Sequence, residues 1–187
     1  METKITYFAE AGQVNTEETF RLAKRRAEEL GIKNIIVAST SGETGAAAAE
    51  FFQGYRVIAV SHAFGFRAAN AFSMTEQNRA RIQGQGGTVI HATHVFAGLG
   101  RAVQRKFNTL QLDDIVANVL RLFCQGMKVI PEIAMMAADA GLVRTDEEVI
   151  VIAGSNRGAD TAAVVKPANS KDFFEVRIRE VICKPRP

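Results

Sequence analysis

A cluster of hydroxyl groups and glycines follows an apolar run between residues 35 and 52, IIVASTSGETGAAAAEFF. Backbone amides at the start of a helix lack partners and carry partial positive charge, and small residues let a ligand approach them. Such a loop suits a phosphate or another anion. A strand-to-helix turn capped by Ser41 or Thr44, without any ligand, is the alternative. We call this loop the anion cradle; it consists of Ser39, Thr40, Ser41, Gly42, Glu43, Thr44 and Gly45.

Two familiar nucleotide-binding motifs are incomplete in this sequence. The Walker loop requires a Lys directly after its last glycine, and none follows Gly45. The dinucleotide fingerprint requires three glycines, and GLGRAV (98–103) has only two. ATP hydrolysis and ordinary NAD binding are therefore disfavoured.

Three further apolar runs, at 56–60, 88–92 and 149–153, also end in small or polar residues. In an open parallel sheet, ligands bind beyond the carboxyl ends of the strands. We therefore expect these ends to share one binding site with the cradle. The additional residues expected to contact a ligand are Ser61, His62, Phe64, Thr93, His94, Gly154, Ser155, Asn156, Gly158, Ala159, Asp160 and Thr161.

The chain has three histidines, at positions 62, 91 and 94. Their spacing does not promise the convergence that a zinc site needs, so no metal is expected. His91 falls within a strand pattern and is expected to be a hydrogen-bonded structural residue. No Ser-His-Asp order or paired carboxylates mark a catalytic site. The groups available for proton transfer are His62, His94 and Glu43.

The elements that must position these residues alternate between strand and helix patterns. This alternation predicts an α/β fold, a three-layer α/β/α sandwich around a mostly parallel sheet, with antiparallel strands near the C-terminus. One domain over residues 1–187 is expected. Residues 96–110 resist assignment because two glycines break their helical spacing. Strands are predicted at 4–8, 34–39, 56–62, 88–94, 147–156, 161–167 and 173–182, and helices at 15–31, 44–54, 72–87, 110–126 and 128–142.

Several local signals refine these boundaries. Asn15 and Glu18 have the spacing of a capping box at the start of the first helix. Ser73 is the predicted N-cap of the third helix. Pro131 is compatible with a helix only near its first turn. Apolar and charged residues alternate over 173–182, which predicts an edge strand with one face in water.

Composition excludes several classes of protein. The formal net charge of +3 is too small and too dispersed to favour nucleic acid binding. No apolar run approaches the roughly 20 residues of a membrane helix, and no signal peptide begins the sequence. Cys124 and Cys183 have no zinc or CxxC spacing and are expected to be reduced thiols. A cytoplasmic protein is expected.

Two stretches, IIVASTSGETGAAAAEFFQGYRVIAVSH and EEVIVIAGSNRGADTAAVVKP, resemble the C-terminal α/β domain of pyruvate kinase. The first contains a version of that domain's T-x-S-G-x-[ST]-A loop, in which Ser39 takes the place of Thr and Gly45 the place of Ala. The second resembles its final strand, glycine-rich loop and terminal strand. The matching positions are Ser41, Gly42, Thr44, Gly154, Gly158 and Thr161.

The resemblance carries expectations about function. In the kinases this loop grips an effector sugar phosphate, but Glu43 stands where they often have a basic residue. The catalytic barrel has no counterpart in this sequence, so the chain is expected not to be a pyruvate kinase. It is similar to small stand-alone proteins, mostly archaeal, that share the fold. That group is associated with flavin mononucleotide (FMN), which makes FMN the expected cofactor.

Three hypotheses follow. The first is a protein that binds a phosphorylated small molecule, with FMN the best single candidate. The second is an enzyme, either flavin-dependent or acting on a phosphorylated metabolite. The third is a regulatory module that assembles as a homo-oligomer through helices 72–82 and 110–126. The second of these helices has more apolar residues than one buried face needs: Leu110, Leu112, Ile115, Val116, Val119, Leu120, Leu122 and Phe123.

Overall fold

The computed structural model describes residues 2–186, which form seven strands and six α-helices. Two short 3-10 helices cover Gln13–Asn15 and Ser170–Glu175. The main elements, in chain order, are β1 (Thr6–Phe8), α1 (Thr16–Leu30), β2 (Asn34–Ala38), α2 (Glu43–Phe51), β3 (Arg56–His62), α3 (Glu76–Gly84), β4 (Thr88–Ala92), α4 (Leu99–Phe107), α5 (Leu112–Arg121), α6 (Gln125–Asp139), β5 (Val149–Ala153), β6 (Thr161–Lys166) and β7 (Arg177–Pro185).

All seven strands belong to one sheet, in the order β1-β7-β6-β5-β2-β3-β4. Strand β2 runs parallel to both β3 and β5, and β3 runs parallel to β4. Strand β6 is antiparallel to β5 and to β7, whereas β1 pairs with β7 in parallel. The predicted mostly parallel sheet with antiparallel C-terminal strands is therefore confirmed.

Helices cover both faces of the sheet, and each face has its own hydrophobic core. Side chains alternate along a strand, so Ile35 and Val37 of β2 pack under α1, α2 and α3, while Ile36 packs under α6. All three side chains are fully buried. The three-layer sandwich is confirmed, and the continuous apolar run of β2 is explained by burial on both faces.

The capping box predicted for the first helix is wrong. Asn15 does precede α1, but its side-chain amide donates to the carbonyl oxygen of Glu10 at 2.8 Å and accepts no bond from the helix. Glu18 instead receives the Arg21 guanidinium, which lies one turn further along the helix. The Asn15 side chain, which the sequence pattern assigns to the helix cap, thus bonds to the loop before the helix.

The third helix begins later than predicted. Its N-cap is Thr75 rather than Ser73, and the Thr75 hydroxyl oxygen accepts from the Asn78 amide at 3.2 Å. Both residues are good N-caps by type. The sequence pattern alone could not decide between two such residues placed two positions apart.

The predicted helix over 110–126 is divided in the structure. Cys124 separates α5 from α6, and its Sγ accepts from the Met127 amide at 3.4 Å at the start of α6. Because α6 begins at Gln125, Pro131 lies in its interior, and the prediction that this proline belongs to the first turn is wrong. The unassigned stretch before 110 contains α4.

The segment 173–182 is not an edge strand. Its first residues complete a 3-10 helix in which Phe174 is exposed, and β7 begins only at Arg177. The short strand β1 then pairs along the outer side of β7 and becomes the edge itself. A three-residue strand gives too weak a pattern to predict this pairing.

Gly45 lets α2 approach the sheet closely. A Cβ at this position would lie 2.9 Å from Ala59 Cβ, 3.0 Å from Ile82 Cδ1 and 3.1 Å from Ser39 Cβ. We expect Gly45→Ala to lower the free energy of unfolding by about 1–3 kcal/mol because these neighbours must move. Gly84→Ala, where nothing lies within 4 Å, should raise it by about 0.5 kcal/mol. Urea denaturation measures both changes, and equal effects would contradict the packing argument.

Candidate functional site

The carboxyl ends of β2, β3, β4 and β5 lie along one edge of the sheet. This follows from their parallel pairing, and the antiparallel β6 brings its first residues to the same edge. The topology therefore gathers the four polar segments that the sequence places after strands. They come from stretches of the chain more than 100 residues apart, between Ser39 and Gly154.

A cleft of about 750 Å³ opens at this edge of the sheet. The predicted site residues that line it are Ser39, Thr40, Ser41, Glu43, Thr44, His62, His94, Gly154, Asn156 and Gly158. The predicted residues outside its lining are Gly42, Gly45, Ser61, Phe64, Thr93, Ser155, Ala159, Asp160 and Thr161.

The loop between β2 and α2 is held in place by α3. Gly42 has a φ of 92°, and a Cβ there would lie 2.5 Å from Asn78 Cβ, so only glycine fits. The carbonyl oxygen of Ser41 accepts from the Asn78 side-chain amide at 3.1 Å and from the Thr75 amide at 3.2 Å. Two independent constraints thus fix the conformation of the predicted cradle.

The protein's own side chains occupy part of this cradle. Ser39 Oγ accepts from the Gly45 amide at 2.8 Å, and Ser41 Oγ lies 3.4 Å from the Glu43 amide. The N-cap position itself is Gly42, so the alternative with Ser41 or Thr44 at that position is wrong. Within residues 2–186, the loop amides that donate to no protein acceptor are those of Thr40, Ser41, Gly42 and Thr44.

The loop between β5 and β6 is organised by a buried carboxylate. Asp160 is fully buried, and its Oδ2 accepts from the amides of Gly12 at 2.8 Å and Ser155 at 3.1 Å. Its Oδ1 accepts from the Thr161 hydroxyl at 2.7 Å. Asp160 and Thr161 therefore bond within the protein, behind the part of the loop that faces the cleft. Sequence position alone did not separate these supporting residues from the lining residues.

Other predicted residues also lie away from the cleft. The buried Ser61 donates through its hydroxyl to the carbonyl oxygen of Thr40 at 3.0 Å. Phe64 is 63% exposed, and the neighbouring Phe66 takes its place in the lining. Thr93 is exposed at the end of β4.

The floor of the cleft contains a buried ionic cluster that sequence reasoning missed. Glu132 is fully buried, and its Oε2 lies 2.5 Å from Lys128 Nζ and 3.1 Å from His94 Nδ1. Its Oε1 accepts from the Phe96 amide at 3.0 Å. The available signal was a Lys and a Glu four residues apart on a helix that is otherwise almost entirely apolar.

The charges around Glu132 keep it ionised. Burial by itself would raise the pKa of Glu132, but the hydrogen bond to His94 and the positive charge of Lys128 outweigh burial and hold that pKa well below its usual range. The cleft floor therefore carries a carboxylate that is already matched by donors.

Aromatic rings form one wall of the cleft. The ring centroids of His62 and Phe66 are 4.1 Å apart, and those of His62 and His94 are 4.7 Å apart. The guanidinium carbon of Arg101 lies 4.8 Å from the centroid of Phe66. A flat ligand ring has matching surfaces here, since aromatic and guanidinium planes both stack.

His91 lies outside the cleft lining and differs from its prediction. Both of its ring nitrogens are buried without a hydrogen-bond partner, and the Phe72 ring lies 3.9 Å away between centroids. The expectation of a hydrogen-bonded His91 is therefore wrong. Burial, with the nearby charge of Arg79, lowers the pKa of His91 and favours its neutral form.

Positive charge exceeds negative charge in the cleft lining. Five Lys or Arg residues and three carboxylates line it, an excess of two positive charges. The carboxylates are those of Glu43, Asp114 and Glu132, and Lys128 is paired with the last of these. The arginines lining the cleft, none of which forms an ion pair within residues 2–186, are Arg67, Arg101, Arg121 and Arg157.

Across residues 2–186, no three His, Cys, Asp or Glu side chains come close enough together to hold a metal ion. In the same part of the chain, every helix is too short or too polar to cross a bilayer.

Comparison with known proteins identifies the family. The family model of the pyruvate kinase alpha/beta domain matches residues 17–165. The chain belongs to this family. The match begins in α1 and ends in β6, so it includes every strand end that lines the cleft. Strands β1 and β7 lie outside it.

Solved structures give more distant likenesses. Pyruvate kinase from Cryptosporidium parvum is 14% identical, with a TM-score of 0.39 over 82% of this chain and 22% of its own. A second structure of that enzyme, in complex with ADP, is 14% identical with a TM-score of 0.37, over 80% of this chain and 22% of its own. O-ureido-L-serine synthase, as a mutant bound to O-ureido-L-serine, is 19% identical with a TM-score of 0.32, over 76% of this chain and 50% of its own. The chain thus spans about a fifth of the kinase chains and half of the synthase chain.

The half-buried imidazole of His62 makes stability depend on pH. Burial, followed by the charges of His94 and Arg67, lowers the pKa of His62 from 6.5 to about 4. The unfolded chain therefore binds a proton that the folded chain excludes, so this contribution to stability is complete above pH 6.5 and is lost as the pH falls toward 4.

We expect His62→Phe to flatten the rise in the free energy of unfolding with pH over that window. One proton changes the slope by at most about 1.4 kcal/mol per pH unit. Urea denaturation at a series of pH values measures the slope. Part of the rise in the free energy of unfolding with pH should persist in the variant, because the pKa of His91 is lowered as well. Identical slopes for the two proteins would contradict the assignment.

Proposed function

We propose that this chain binds a phosphorylated small molecule in the cleft, and that FMN is the ligand with the best fit. The observation that carries the proposal is the set of four cleft arginines that form no ion pair within residues 2–186. Unpaired cations on a concave surface attract anions and favour bidentate bonds to phosphate. A volume of about 750 Å³ is suitable for a molecule the size of a nucleotide.

The phosphate end of the ligand is assigned to the loop between β2 and α2. The amides of Ser41, Gly42 and Thr44 have no protein acceptor in the described residues, and they lie at the positive end of α2. Arg157, from the loop after β5, lines the same cleft and can supply a charge-assisted bond. The carboxylate of Glu43 repels a phosphate at this position, so binding depends more strongly on the charge of the arginines.

The ring end is assigned to the wall formed by His62, Phe66 and His94. These rings lie within 6 Å of one another, and Arg101 stacks on Phe66. FMN joins one phosphate to one flat ring system, which are the two features that the lining accommodates. The pairing of an anion cradle with an aromatic wall supports FMN over a sugar phosphate.

Titration of the purified protein with FMN, followed by flavin fluorescence, tests the proposal. We expect saturable binding at micromolar concentrations. Riboflavin, which lacks the phosphate, should bind at least about tenfold more weakly, because hydrogen bonds to a charged group contribute about 1.5–3 kcal/mol each.

A pair of arginine variants locates the phosphate. Arg157→Gln should weaken FMN binding several-fold, whereas Arg56→Gln, at the opposite end of β3 and outside the cleft, should leave it unchanged. Absence of any fluorescence change at tens of micromolar FMN would contradict the proposal. Equal affinities for FMN and riboflavin would contradict the phosphate cradle.

We also propose that two copies of this chain associate through α5. No residue of α4 is buried, and Ala117 is the one buried residue of α5. Leu112, Ile115, Val119 and Leu122 repeat at intervals of three and four residues, which is the spacing of a coiled-coil seam. In the α4 and α5 region, the exposed large apolar residues are Leu99, Phe107, Leu110, Leu112, Ile115, Val119, Leu122 and Phe123.

A second copy of α5, packed antiparallel, is the occupant that the charges favour. Asp113 and Asp114 lie in the first turn of α5 and Arg121 in the last, and Asp114 and Arg121 also line the cleft. Antiparallel pairing brings the acidic end of one copy toward the basic end of the other. Residues 76–84 of α3, by contrast, offer no exposed large apolar side chain for the predicted second contact.

Light scattering after size exclusion tests self-association. The wild type should have about twice the mass of one 20.3 kDa chain, and Ile115→Glu combined with Val119→Glu should reduce it to that of one chain. Val14→Glu is the matched control, since Val14 is 76% exposed and lies outside α4 and α5. A wild type that stays monomeric at tens of micromolar would contradict the proposal.

A further inference from the structure

The ionic cluster on the cleft floor is not explained by stability. Glu132 is fully buried and Lys128 is 8% exposed, so both charges have lost their hydration. Replacing a buried ion pair by apolar residues of similar volume is often neutral or stabilising. Buried ionised groups beside a cleft occur more often in binding or catalytic sites than elsewhere in a protein.

Glu132 lies against one of the two ring nitrogens of His94. An ionised carboxylate only accepts hydrogen bonds, so a bond across the 3.1 Å between His94 Nδ1 and Glu132 Oε2 requires the proton to be on Nδ1. In the neutral imidazole the other nitrogen, Nε2, is then an acceptor. Lys128 and the Phe96 amide also bond to Glu132 and hold it in place. His94 lines the cleft, so Nε2 is the atom left for a ligand.

We propose that Glu132 is a positioning residue that holds His94 in the Nδ1–H form, so that Nε2 accepts a hydrogen bond or a proton from the ligand. The part about the ligand rests on the proposed function. Besides His94, the cleft lining includes the donors Lys128, Arg67 and Arg101 and the neutral His62. The ligand class is thus a phosphorylated molecule whose far end carries an N–H or O–H group, as the ring imide of a flavin does.

The same geometry supports transfer of that proton. The ligand N–H or O–H bond breaks, an Nε2–H bond forms, and the electron pair stays on the ligand. Glu132 stabilises the resulting imidazolium, and Arg67 and Arg101 face the negative charge that remains. No oxidant or other reactant is required for this step.

Nitrogen NMR of protein labelled with 15N-histidine tests the role of Glu132 directly, before any ligand is added. Two-bond proton–nitrogen spectra distinguish a protonated from an unprotonated ring nitrogen, and the His94→Phe spectrum assigns the His94 signals. The wild type at pH 8 should show His94 with Nδ1 protonated and Nε2 unprotonated. A proton on Nε2 instead would overturn the inference.

A double variant tests the cause. Lys128→Met combined with Glu132→Leu removes both buried charges together, so neither is left unpaired. His94 should then shift toward the Nε2–H form while the thermal transition stays cooperative. Glu132→Gln is the second variant, for use if the double variant fails to fold, and should give mixed forms because an amide both donates and accepts. Retention of the Nδ1–H form in whichever variant folds would overturn the positioning role.

The ligand part is tested with FMN and riboflavin as probes. His94→Phe should weaken both by the same factor, about tenfold, since Nε2 contacts the ring that they share. Arg157→Gln should weaken FMN alone. His91→Phe is the matched control, because His91 lies outside the cleft lining.

The outcomes separate the two proposals. Unchanged flavin affinity in His94→Phe would overturn the assigned ligand contact. If neither flavin binds to the wild type, the proposed function and the ligand class fall together. The NMR spectra of the free protein still decide the role of Glu132 in that case.

Discussion

The parallel pairing of β2 with both β3 and β5 is the constraint on which the rest of this structure depends. It places the carboxyl ends of strands that are far apart in the chain side by side, and it requires each strand to be apolar on both faces. The polar segments after the strands are consequently concentrated at one edge. Gly45 then allows α2 to approach the sheet so that its N-terminus reaches that edge. The cleft is thus a product of strand order and of one missing side chain.

The cleft contains two kinds of polar group, which differ in how far they are removed from water. Of its four arginines, Arg67, Arg121 and Arg157 are exposed and Arg101 is half-buried. Its floor contains Glu132 and Lys128, which have given up water and depend on each other and on His94. The packing of the fold does not by itself require a buried ion pair beside this cleft.

Much of the architecture could be predicted from the sequence. The buried strands stand out as continuous apolar runs, and the loop at Ser41 and Gly42 stands out by its composition. Lys128 and Glu132 could not be recognised, because a Lys and a Glu four residues apart usually mark a solvated helix face. Only the packing of α6 against the sheet makes them interior. Asp160 was placed in the correct loop, but whether its carboxylate faces a ligand or its own backbone depends on Gly12, which is distant in sequence.

The bonds of Asp160 have a consequence for the order of this edge. One carboxylate joins the amide of Gly12, before the first helix, to the amide of Ser155, after the fifth strand, and Thr16 accepts from the amide of Ala159 beside it. The two chain segments therefore open and close as one cooperative unit, and neither can lose its conformation without releasing the other. Any molecule that immobilises the turn at 156–158 would slow amide exchange at the beginning of the chain, although it touches nothing there.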